Sequence, residues 1–109
     1  MTGVLDRVRA AHRPTGRRLG IAVGMPAPAA LLDGVAEILR DAGVEPARRL
    51  ARLRPRYGED FTRAEDAAYF IDHYGHEYTA IVLDAAHSTE AVAAACHAEG
   101  CALILTTAS

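Results

Sequence analysis

The chain has 109 residues, half of them apolar and 24% charged, with a formal net charge of -2. That is one domain's worth of chain, long enough to bury a core and too apolar to stay disordered. No apolar run approaches the roughly 20 residues that cross a bilayer. The opening MTGVLDRVRAAHRP carries charges where a secretory signal would carry its apolar core, so the expected setting is the cytoplasm.

In chain order, TGVLDRVRAAH sets Val4, Leu5, Val8 and Ala11 at helical spacing, with Thr2 as the N-cap and Pro14 and Gly16 as the stop. RRLGIAVGM is a short apolar run between arginines and Gly24–Pro26, which predicts a buried strand. In APAALLDGVAEILRDAGV, residues Leu31, Leu32, Val35, Ile38 and Leu39 line one helix face and Gly43 ends it. ARRLARLRP is the second strand, with Leu50 and Leu53 as its apolar content, although alanine and arginine suit a helix equally. After the turn-rich RPRYGEDFT, Thr62 and Glu65 form a capping box for the helix RAEDAAYFIDHYGHE. YTAIVLDA is β-branched, apolar and closed by Asp84, a strand. STEAVAAACHAEG is a helix capped by Ser88 or Thr89 and stopped by Gly100, and CALILTTAS is the last strand.

Strands alternating with helices, and reading as continuous apolar runs, imply a parallel sheet covered on both faces. Right-handed crossovers then give an α/β, doubly wound, flavodoxin-like sheet of four strands in order 2-1-3-4. Residues 1–16 form an extra N-terminal helix and turn, and 17–109 the α/β domain. Ligands in such sheets gather beyond the carboxyl ends of the strands. That edge collects GMPAPA with Met25, RPRYGED, DAAHST with Asp84, His87, Ser88 and Thr89, and TTAS with Thr106 and Thr107.

Three stretches carry a family resemblance. LLDGVAEILRDAGVE resembles the first helix of the receiver (CheY-like) domains of bacterial response regulators, and its exit into their second strand. RAEDAAYFIDHYGHEYTAIVLD resembles the helix and strand that lead to the phospho-accepting aspartate, which would be Asp84. ALILTTAS resembles the fourth strand, whose hydroxyl meets the phosphoryl group, here Thr106 or Thr107. The departures are equally specific. VGMPAP lacks the acidic pair that holds Mg²⁺, the fifth strand is missing, and the chain contains no lysine. Without those groups nothing neutralises the charge that develops on a transferring phosphoryl group. The resemblance therefore implies a degenerate, phosphorylation-independent receiver: a non-catalytic regulatory or protein-interaction module without a cofactor. YTAIVLDAAHST also resembles type II dehydroquinases and the Walker-B side of ParA-type ATPases, but the catalytic loop of the first and the phosphate loop of the second have no counterpart here.

The residues support an enzyme as the alternative. Asp84 can orient His87, and imidazole transfers protons near neutral pH. Such an enzyme would act on an acidic metabolite held by an arginine, because Arg48 and Arg52, with either Arg54 or Arg56, fall along one edge element and arginine grips carboxylate or phosphate in two places. The same arginines would also protect an edge strand without any ligand. His73 and His76 lie one helical turn apart, but His87, His97, Cys96 and Cys101, the further ligands a zinc site needs, lie on other elements, so no metal is expected. Cys96 and Cys101 read as buried thiols.

Charge is unevenly spread. Residues 1–63 hold all twelve arginines against seven acids, and residues 64–109 hold seven acids and no base. That asymmetry, with an apolar last strand left at the sheet edge, predicts a homodimer or a partner protein and a possible anionic small ligand. Nothing in the sequence suggests nucleic acid or a membrane.

Overall fold

A computed structural model of the chain describes residues 3–53 and 64–106, with the side chains of 64–66 excepted. Thr2, Arg54, Arg56, Thr62 and Thr107 from the sequence reading lie outside the described residues. The elements run α1 (Val4–Ala11), β1 (Gly20–Gly24), α2 (Ala29–Asp41), α3 (Pro46–Arg49), β2 (Leu50–Leu53), α4 (Ala64–Tyr74), β3 (Tyr78–Asp84), α5 (Glu90–Glu99) and β4 (Ala102–Thr106). One-turn 3₁₀ segments flank β3 at Gly75–Glu77 and Ala85–His87. All strand pairs are parallel, and the order is β2-β1-β3-β4, as the sequence predicts. No helix among the described residues is long and apolar enough to cross a membrane.

The alternation of strand side chains divides the core into two layers. On one face Ala22, Ile81 and Leu83 pack with Ile71 of α4 and with Val92, Ala95 and Cys96 of α5. On the other face Ile21, Val23, Val82 and Ile104 pack with Val35, Ile38 and Leu39 of α2 and with Val8 of α1. Fully burying a side chain such as Ile81 stabilises the fold by about 1.5–3 kcal/mol relative to leaving it in water. Val8 has no exposed surface, so α1 belongs to the same core as the sheet. Gly34 lets it approach. A methyl group there would come within 2.5 Å of Leu5 on α1.

Three local expectations are corrected. First, Gly3 rather than Thr2 occupies the N-cap of α1, and its amide donates to Asp6 Oδ2 at 3.4 Å. Second, the segment read as one strand from Ala47 begins with α3, because Pro46 suits a first helical position and Glu45 Oε1 accepts from the Ala47 amide at 3.4 Å. Arg48 therefore lies on α3 and Arg52 on edge strand β2, not on a common element. Third, α4 stops at Tyr74 and His76 belongs to the 3₁₀ turn, so His73 and His76 do not share an α-helix. The stop signals read from glycine hold: Gly43 and Gly100 take φ of +78° and +77° just after α2 and α5.

Candidate functional site

The carboxyl ends of β1, β3 and β4 open into a cavity of about 740 Å³. Its walls are mainly apolar, with Val23 and Met25 at the end of β1, Val82 and Leu83 on β3, and Leu5 and Leu31 on α1 and α2. Pro26 and Pro28 stiffen the connection from β1 to α2, and Pro28 holds the N-cap of α2 with no side-chain cap. The polar groups are few: Asp6 of α1, Asp84 and His87 after β3, and Thr106 on β4.

Local structure explains how these groups meet. Asp84 pairs in register with Thr106, so the ends of β3 and β4 present them side by side. Asp84 Oδ1 accepts from the Ala86 amide at 2.8 Å, which turns the chain into the 3₁₀ segment and carries His87 back to the cavity. That bond uses one carboxylate oxygen and leaves Oδ2 without a partner among the described residues.

Of the residues singled out from sequence, Asp84, His87, Met25 and Thr106 are brought together here. Ser88, Thr89 and Arg52 are not among the lining residues. Thr89 caps α5 instead, accepting from the Val92 amide at 3.3 Å, and Arg52 is exposed on the edge strand. No described arginine lines the cavity, so the arginine-anchored acidic ligand expected from sequence lacks its anchor among the described residues. The first turn of α1 and Leu31 went unrecognised as wall. Their amphipathic spacing was visible, but it shows only that a helix face is buried, not that part of it closes a cavity.

Two further histidines have structural partners. His73 stacks on Tyr69, with ring centroids 4.0 Å apart, and its Nδ1–H donates to the Tyr69 carbonyl at 2.9 Å. His76 lies 3.9 Å from the Glu77 carboxylate. Among the described residues no three His, Cys, Asp or Glu side chains converge on a point where a metal could sit. Both cysteines are free and buried. Burial pushes the Cys96 thiol up to about 12, so it stays protonated.

No family model matches the chain. It is similar to a kynureninase of Myxococcus xanthus (strain DK1622), 32% identical over 97 residues that cover 83% of this chain. The match spans 23% of that protein. The chain thus corresponds to about a quarter of its relative's length.

Proposed function

We propose that the chain is a non-catalytic binding module in which a small, largely apolar ligand occupies the cavity at the carboxyl edge of the sheet. The observation that carries this reading is the cavity itself: apolar walls with a few convergent polar groups, at the position where doubly wound sheets take their ligands. In receiver-like terms the module is regulatory and phosphorylation-independent, with occupancy of the cavity as its input. A thermal-shift series of small aromatic compounds that includes L-kynurenine tests it. At least one compound should raise the melting temperature of the protein and fail to do so in Leu31→Trp, where the larger side chain fills the wall. A series without any such compound would end the proposal.

A second reading is favoured by the similarity to a kynureninase, whose name assigns it an aromatic amino acid as substrate. On this reading the unit contributes the Asp84–His87 rim to acid–base chemistry on such a compound. Loss of L-kynurenine over time, abolished in both Asp84→Asn and His87→Gln, would replace the binding module with an enzyme.

We also propose self-association. Strand β4 is an edge strand of the described sheet, its Leu103 and Leu105 are only partly buried, and the two halves of the sequence carry opposite charge. Light scattering at micromolar concentration should give twice the 11.6 kDa chain mass, and a monomer in both low and high salt would exclude it.

A further inference from the structure

We infer that the occupant of the cavity is a cation, an apolar or aromatic compound bearing a protonated amine. This deepens the binding reading proposed above and depends on it.

The inference starts from the charges on the wall. Two carboxylates, Asp6 and Asp84, line the cavity with the imidazole of His87, and no described arginine does. The nearest cation along α1, Arg7, is turned to β4, where its guanidinium donates to the Leu105 carbonyl at 2.9 Å. Each carboxylate also has capacity left. Asp84 uses Oδ1 on the Ala86 amide and Asp6 uses Oδ2 on the Gly3 amide; among the described residues this leaves Asp84 Oδ2 and Asp6 Oδ1 to accept from a ligand. An ammonium group carries three donors and no acceptor, which suits two carboxylate oxygens and the Thr106 hydroxyl oxygen.

An opposing field must be weighed. Helices α1 and α2 both begin at this cavity, and the positive end of a helix dipole, equivalent to roughly half an elementary charge, attracts anions. Asp6 lies in the first turn of α1 and offsets that end directly. Taken together, the two helix ends amount to roughly one positive charge, against the two carboxylates. The balance of these groups is negative; because Asp6 is exposed and Asp84 half-buried, it is partly screened by solvent and salt. An anionic ligand would meet the carboxylates unpaired.

The test uses three indole compounds that differ in one terminal group: tryptamine, tryptophol and indole-3-propionate. The protein contains no tryptophan, so indole emission reports the ligand alone. Fluorescence anisotropy at low ionic strength should give tryptamine at least tenfold tighter binding than indole-3-propionate, with tryptophol between them. Added salt should narrow the gap. Asp84→Asn and Asp6→Asn should each weaken tryptamine binding several-fold and leave tryptophol nearly unchanged. Both variants keep a side-chain acceptor for their local amide, so the fold is retained. Equal or tighter binding of the propionate would overturn the charge assignment while leaving the cavity as a binding site. Failure of all three to bind would overturn both.

Discussion

His12 Nδ1 and Thr79 Oγ1 lie 2.7 Å apart, and both residues are buried. The Thr79 hydroxyl donates its proton to the Gly20 carbonyl at 3.2 Å, so its oxygen accepts from Nδ1–H of His12. The other ring nitrogen, Nε2, then carries a lone pair and has no partner among the described residues. Protonating it would place a charged N–H where no acceptor waits, and burial accordingly lowers the His12 pKa below its usual 6.5. As pH falls through 6.5, the unfolded chain binds this proton before the folded one does. Stability from His12 is therefore full above pH 6.5 and is lost below it. The urea midpoint should drop between pH 7 and pH 5. In His12→Asn, which keeps a donor for Thr79 but does not titrate, that drop should be shallower. An equally steep drop would assign it to other groups.

Gly20 and Gly34 should respond differently to an added methyl group. At Gly20 it would meet the Arg49 carbonyl at 2.7 Å and the Tyr78 ring at 2.8 Å, where the interior strand β1 begins. Gly20→Ala should cost about 1–3 kcal/mol in chemical denaturation. At Gly34 the obstacle is the tip of Leu5, which can swing aside. Gly34→Ala should cost less stability, but it should change the affinity of any indole ligand, because Leu5 is part of the cavity wall.

Arg18 precedes β1 and gathers three backbone carbonyls, Glu99 at 2.6 Å, Tyr78 at 3.0 Å and Gly75 at 3.4 Å. It thereby ties the entry of β3 to the turn before β4. Arg18→Met keeps the length of the side chain and removes every donor. The expected loss is about 1.5–3 kcal/mol, the range for hydrogen bonds to a charged group, read from the urea midpoint. Arg18→Lys should recover only part of it, since a single ammonium cannot span the three acceptors.

Phosphorylation of Asp84 should not occur. The connection after β1 brings no carboxylate to the cavity; the second acid there, Asp6, comes from α1. With acetyl phosphate and Mg²⁺, the intact mass should remain unchanged. A phosphoryl increment that disappears in Asp84→Asn would mean that Asp6 serves in place of the missing acidic pair.

A lysine at Ile104 should prevent folding. Ile104 is 5% exposed and faces the layer built from α1 and α2, so Ile104→Lys buries a charge without a partner. Leu105→Lys, on the opposite and partly exposed side of β4, should keep the native circular dichroism spectrum.

The parts of this fold legible in the sequence are those in which a single physical cause dominates. β3 is a continuous apolar run closed by Asp84, and no helical pattern competes with it. β2 was only half legible. Glu45 and Pro46 are a helix-start signal, and the alanine and arginines that follow fit a helical turn as well as a strand. Asp84, His87, Met25 and Thr106 could be placed at one edge because topology alone puts them there. Ser88 and Thr89 share that edge, yet Thr89 is committed to capping α5. That the N-terminal helix covers one face of the sheet is within reach of the sequence; that its first turn walls the cavity is not. Where a helix that precedes β1 docks depends on tertiary fit, here the space that Gly34 leaves for Leu5.

The bond from Arg7 to the Leu105 carbonyl joins residues 98 positions apart, and it bears on how the molecule is made. Chains leave the ribosome at roughly 5–20 residues per second. Helix α1 emerges well before two of the strands it packs on, β3 and β4. For several seconds Val4, Leu5 and Val8 lack the β3 and β4 part of their packing, Val82 and Ile104. The cavity, which needs α1 and the ends of β3 and β4 together, therefore cannot form until β4 has emerged. A nascent chain stalled before Ala102 should be unable to hold any ligand of this site.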